Sequence, residues 1–153
     1  MWFKKKRKEL GVFYRKFPKI KQIHLSMGSL EKKLDTLFSK FVRLSGLNSQ
    51  GYIICVTCGG FFTYRMIDCG HYIGREERAT RWEERNTGSQ CHSCNRYAEG
   101  KKAQFALYLQ RKYGLGILQE LNDQVNKFSH FTASELEEKI KYYQEKVKQF
   151  PHS

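Results

Sequence analysis

Three things are scarce in this chain. No stretch approaches the ~18–20 consecutive apolar residues of a membrane span, so no membrane partner is expected. The basic start is not followed by an apolar segment of signal-peptide type, so no secretory leader is read and a cytoplasmic, reducing setting is expected. Negative charge is short as well. Asp and Glu number 15 against 28 Lys and Arg, a net charge of +13. Such an imbalance says little about fold. It favours a polyanionic partner, nucleic acid ahead of an acidic lipid surface.

What is present is unevenly spread. Residues 1–22 hold nine Lys and Arg against the single Glu9, with Trp2, Phe3, Phe13, Tyr14 and Phe17 interleaved. This arm reads either as a solvated tail or as a phosphate-tracking segment with stacking aromatics. Residues 23–48 then read as an N-terminal helix. Leu30, Leu34, Leu37, Phe38, Phe41 and Val42 fall on one apolar stripe, and Gly46 stops it. From Gly51 the texture becomes short β-type runs broken by glycines, a loop-rich region of the kind that needs a staple. Helical patterns return after Ser93. Thr132 and Glu135 form a capping box for a last helix carrying Leu136, Ile140, Tyr143, Val147 and Phe150. That stripe reads as packing within the domain, with a homodimer seam as the alternative. The resulting expectation is an α+β chain: a basic arm (1–22), an N-terminal helix (23–48), a stapled core (49–115) and C-terminal helices (116–153).

The staple is legible in the cysteines. Cys55-x-x-Cys58 and Cys91-x-x-Cys94 are two knuckles separated by 32 residues. A two-residue gap turns both thiolates toward one ion, and two knuckles close a tetrahedral structural zinc site. In a reducing compartment, paired cysteines point to metal rather than disulfides. The fifth, Cys69, exceeds that need and reads as a small buried hydrophobe.

Cys69 stands in Asp68-Cys69-Gly70-His71. On a regular strand Asp68 and His71 would face opposite sides, so a positive φ at Gly70 is expected to bring them together. A converging acid and imidazole suit metal-assisted hydrolysis: the acid binds a hard cation and the imidazole takes a proton from water. Asn95 follows the last zinc ligand, at the expected start of a helix, and could add an oxygen ligand or simply cap that helix. Arg75, Arg78, Arg81, Arg85 and Arg96 crowd these positions, but Glu76, Glu77, Glu83 and Glu84 can pair with them.

In order, the motifs are Cys55-Val-Thr-Cys58, Asp68-Cys-Gly-His71-Tyr72, Arg81-Trp82-Glu83-Glu84-Arg85-Asn86 and Gln90-Cys91-His-Ser-Cys94-Asn95-Arg96. Over about residues 50–115 this set resembles the NinG/Rap recombination proteins of lambdoid phages. Its site layout is similar to that of the phage recombination endonuclease VII, within the HNH, or ββα-metal (His-Me finger), nucleases. That resolvase has a second histidine where this chain has Cys69, whereas NinG-like sequences have a small residue there. The resemblance implies a zinc-stapled ββα-metal core and a DNA endonuclease acting on branched recombination intermediates such as Holliday junctions and D-loops. His71 would be the general base, Asp68 and Asn95 the ligands of a catalytic Mg²⁺ or Mn²⁺. Asn86 would fix the loop and the imidazole, and Cys55, Cys58, Cys91 and Cys94 would hold zinc. Partners implied are branched DNA and a second copy of the chain; a phage-encoded protein would work in the host cytoplasm. The competing reading is a non-catalytic zinc-knuckle nucleic-acid-binding protein, which needs no role for Asp68, His71 or Asn95.

Overall fold

The computed structural model describes residues 25–127 and 130–150; the basic arm lies outside them. Helix α1 spans Met27–Ser45. Ser26 caps it, its hydroxyl accepting from the Ser29 amide at 3.3 Å, which satisfies one otherwise orphaned donor. Leu30, Leu34, Phe38, Phe41 and Val42 are buried along one face. They pack against helix α4, Ala133–Lys148, whose buried Leu136, Ile140, Tyr143 and Val147 complete the largest core cluster. Trp82, from the connection between the two longer strands, seals that cluster. The apolar stripe of α4 is thereby occupied within the chain. Its N-terminus carries both halves of the Thr132–Glu135 capping box.

Between the helices lie two small antiparallel ribbons. Strand β1 (Ile53–Ile54) pairs with β2 (Phe61–Phe62), and β3 (Ile67–His71) pairs with β4 (Thr87–Cys91). All five β4 residues are buried because helices cover both its faces. On one face the Ser89 hydroxyl donates to the Val42 carbonyl of α1 at 3.1 Å, and Cys69 beside it joins the α1 core. On the other, Gly88 meets Val56 and Tyr108 of helix α2, Lys102–Tyr113. Helix α3, Ile117–Lys127, folds back on α2 through Phe105, Leu109, Ile117 and Leu121. Among the described residues, no helix is long and apolar enough to cross a membrane.

Two local expectations are corrected. Gly70 does not take a positive φ. It is a regular strand residue opposite Gly88, and it is glycine because a Cβ there would run into the Gln90 carboxamide, whose Cδ would be 2.8 Å away. Nor does Asn95 open a long helix. It sits in a single π-helical turn, Ser93–Tyr97, cut off from α2 by three successive left-handed residues, Glu99, Gly100 and Lys101, with φ of 49°, 71° and 46°. The two non-glycine residues each cost on the order of 1–3 kcal/mol in that region. The Gln90 amide holds the turn, donating to the Gly100 carbonyl at 2.8 Å and to the Thr57 hydroxyl at 3.2 Å.

Candidate metal centre and active site

The four knuckle sulfurs gather into one cluster, all within 4.8 Å of one another. The Cys58 and Cys91 sulfurs lie 4.0 Å apart. Tetrahedral Zn–S bonds of ~2.3 Å place sulfurs roughly 3.8 Å apart, so the set fits zinc with small closure. Gly59, at φ 74°, makes the first knuckle's turn, and its amide donates to the Cys55 carbonyl at 2.9 Å. The Cys91 amide donates to the Cys55 sulfur at 3.3 Å. Burial pushes the Cys55 thiol up, but that amide and the Thr57 hydroxyl outweigh it and bring it to about 6, poised as a thiolate. Cys69 stands apart from this cluster; burial pushes its thiol up to about 12.

The β3–β4 register carries the staple's geometry to the second site. Ile67 pairs with Cys91 and Asp68 with Gln90. Asp68 is therefore one ladder step from a knuckle cysteine, and Asn95 directly follows another. The two meet: the Asn95 amide lies 3.1 Å from the Asp68 carboxylate. Here Asn95 Nδ2 donates to Asp68 Oδ2, and a half-turn of the carboxamide would bring Oδ1 to the same place. Two oxygens so placed match the roughly 3.0 Å between neighbouring ligands of an octahedral ion with ~2.1 Å bonds, and carboxylate plus amide is a hard donor pair suited to Mg²⁺ or Mn²⁺. The carboxylate is also held by neighbouring side chains. Arg96 binds both its oxygens at 2.8 Å, and His92 lies at 3.4 Å. Burial alone would raise the Asp68 carboxyl, but these hydrogen bonds and charges hold it below the usual carboxylate range.

His71 lies at the end of β3. Its Nε2 is 3.0 Å from the Arg81 carbonyl. A carbonyl can only accept, so Nε2 carries the proton and Nδ1 keeps its lone pair in the neutral ring. Burial lowers the imidazole's proton affinity, the Arg81 carbonyl partly opposes this, and the charge of Arg75 reinforces it. The ring is therefore neutral at pH 7, in the form that can accept a proton.

The loop that supplies the Arg81 carbonyl is held from two sides. Asn86 is fully buried and accepts from the Ile73 amide at 2.8 Å. It donates to the carbonyls of Ile73 at 2.9 Å and Thr80 at 3.0 Å. Asp35 of α1 binds the Arg81 guanidinium through both oxygens, at 2.9 and 2.5 Å, and accepts from the Trp82 indole at 3.0 Å. Asp35 is a residue that motif reading passed over. The signal for Asp35 was an acid abutting the apolar stripe of α1.

Asp68, His71 and Asn95 open onto one cavity of about 350 Å³, shared with Ser39, Cys69, Arg75 and Arg96. Asp68 and His71 reach it from a regular strand without any break in alternation. The structure also sorts the five arginines. Arg78 pairs with Glu31, Arg81 with Asp35, Arg85 with Glu83 and Glu120, and Arg96 with Asp68. Among the described residues, no carboxylate reaches Arg75, which is exposed at the cavity. A wider cleft of about 600 Å³ between α3 and α4 has Glu83 and Glu120 tied to Arg85 and Asp123 bonded by the Gln119 amide, and its lining holds no imidazole or thiol.

The described chain is thus a mixed helix and small-sheet protein built around a four-cysteine cluster able to hold zinc, with an acid–imidazole–amide cavity beside it. The profile of one family, described as Bacteriophage Lambda NinG protein, matches residues 3–152. The chain belongs to the NinG family, and the match runs well beyond the 50–115 segment that carries the motifs. No curated protein and no solved structure matches it.

Proposed function

We propose that this NinG-family chain is a metal-dependent DNA endonuclease of the HNH type that cuts branched recombination intermediates. The observation that carries the reading is the cavity shared by Asp68, His71 and Asn95, with the imidazole held neutral and its Nδ1 unprotonated. His71 takes the proton from the attacking water at Nδ1. The Arg81 carbonyl keeps the other nitrogen protonated and the ring oriented. Asn86 and Asp35 act behind it as positioning residues, by fixing the loop and the Arg81 side chain. Arg75, a cavity arginine without an acid partner among the described residues, binds a non-bridging phosphate oxygen. The chemistry supplied by a Mg²⁺ or Mn²⁺ ion held on Asp68 and Asn95 is positive charge at the scissile phosphate and leaving oxygen. The zinc cluster is closed and contributes position only. The net charge of +13 supports DNA as the partner. Cutting two strands of a junction calls for a homodimer, whose seam must use a surface other than the occupied stripe of α4.

The test is cleavage of a labelled four-way junction, a D-loop and linear duplex with Mg²⁺ or Mn²⁺. His71→Ala is expected to lower the rate by about 10²–10⁴-fold, the usual contribution of a positioned base. Undiminished cleavage by that variant removes the base assignment. Binding with no strand cleavage leaves the non-catalytic zinc-knuckle reading.

A further inference from the structure

Among the described residues, Tyr97 is the aromatic side chain that the fold leaves most open. It is 84% exposed, and among the described residues it has no hydrogen bond or ring contact. Nothing in packing calls for a large ring there. Its neighbours are engaged: Cys94 belongs to the zinc cluster, and Asn95 and Arg96 touch Asp68. The turn that presents it is pinned at both ends, by Cys94 before it and by the Gln90 hold on Gly100 after it. An exposed ring on a fixed backbone is already organised for a ligand, since little order remains to be imposed on binding.

We propose that Tyr97 stacks on an unpaired base beside the scissile phosphate and is the residue that distinguishes a branch point from continuous duplex. This rests on the nuclease reading of the adjacent site. Tyr97 lies two residues from Asn95, so their Cα atoms are at most about 7.6 Å apart. Successive bases of a strand rise by about 3.4 Å. Residues two apart in a helical turn project from nearly opposite sides, and Tyr97 does not line the cavity, so the ring meets a flanking base only when that base is splayed away from a phosphate held at Asp68 and Asn95. In continuous duplex both faces of every base are covered by neighbours. A free face exists only where stacking is interrupted, at a fork, flap, single-stranded gap or mobile junction. Every base has such a face, so the contact selects structure rather than sequence. The charges around it fit a backbone passing on either side: Arg96 precedes Tyr97, and Lys101, without a carboxylate partner among the described residues, follows it. Lys102, by contrast, is committed to the Tyr72 carbonyl.

The experiment is fluorescence anisotropy of the zinc-loaded full chain with no added Mg²⁺ or Mn²⁺. The probes are a four-way junction, a fork with unpaired arms and a continuous duplex of matched sequence. Tyr97→Ala is expected to raise Kd for junction and fork by roughly 5- to 150-fold, the value of one base–aromatic stack, and for duplex by less than about twofold. Tyr97→Trp should keep the preference. The proposal is overturned if Tyr97→Ala binds the branched probes like wild type, or weakens all three probes equally, or if Trp does not substitute. Zinc content and circular dichroism confirm that the exposed substitution leaves the fold intact. Binding is read without cleavage, so the two readings fail separately. A branch preference lost in Tyr97→Ala, with no DNA cut by wild type when Mg²⁺ is added, keeps the stack and removes the nuclease. His71-dependent cleavage with no change in binding removes the stack alone.

Discussion

Replacing Asn86 with alanine is the sharpest test of how the imidazole is held. The side chain is fully buried and makes three hydrogen bonds of 2.8–3.0 Å, all to the backbone at Ile73 and Thr80. Each such bond contributes about 1 kcal/mol net, and a buried partner left unpaired adds to the loss. Asn86→Ala should therefore destabilise the zinc-loaded chain by about 3–5 kcal/mol. At about 2–4 °C per kcal/mol for a domain of this size, the melting temperature should fall by roughly 10 °C. The comparison that fixes the cause is Asn86→Asp. Its carboxylate could still accept from the Ile73 amide but would face the Ile73 and Thr80 carbonyls, so at neutral pH it should be less stable than the alanine variant. That environment raises the folded-state pKa of the carboxyl above its unfolded value. The protonated form can donate to a carbonyl, so the stability of the Asp variant relative to Ala should be greatest at low pH and be lost as pH rises through the raised pKa. Thermal unfolding by circular dichroism between pH 4 and 8, with excess zinc, measures both. An Asn86→Ala loss below about 1 kcal/mol, or an Asp variant more stable than Ala at pH 7, refutes the account of the loop.

Zinc should be structural: one zinc per chain by elemental analysis, lost in Cys91→Ser together with the fold, and retained in Cys69→Ala. A Cys69→Ala protein without zinc would overturn the ligand set. Cleavage should fall on the acid side as His71 gains its proton, with a midpoint below the ordinary histidine value of ~6.5 because burial and Arg75 disfavour the charged ring. Arg75→Ala should move that midpoint upward in a pH–rate profile as well as weakening DNA binding; a downward move contradicts the placement of its charge.

The sequence was readable wherever one period or one spacing carries the information. The α1 stripe, the capping box at Thr132 and the two Cys-x-x-Cys knuckles are of that kind, since each is set by local geometry. Gly70 was misread because a glycine can serve either a positive φ or a close approach, and only the ladder partner Gln90 decides between them. The helix expected from Ser93 broke for a similar reason: the left-handed residues Glu99 and Lys101 carry no turn signature of their own and persist because Gln90, far from them in local pattern, grips Gly100. Five arginines among four neighbouring glutamates could not be sorted from order alone. Pairing Arg81 with Asp35 and Arg78 with Glu31 requires knowing that α1 packs on that loop.

The contacts of α1 bear on whether the motif-bearing core could be moved as a cassette. Asp35 steadies the residue whose carbonyl faces His71, Ser39 forms part of the cavity wall, and the Val42 carbonyl receives the Ser89 hydroxyl from the central strand. A graft of residues 49–115 onto another scaffold would transfer every motif and still leave behind one wall of the cavity and the clamp on the imidazole's partner. Shuffling of such a core between proteins must therefore carry its preceding helix with it, or find in the recipient a helix bearing an acid at the same height.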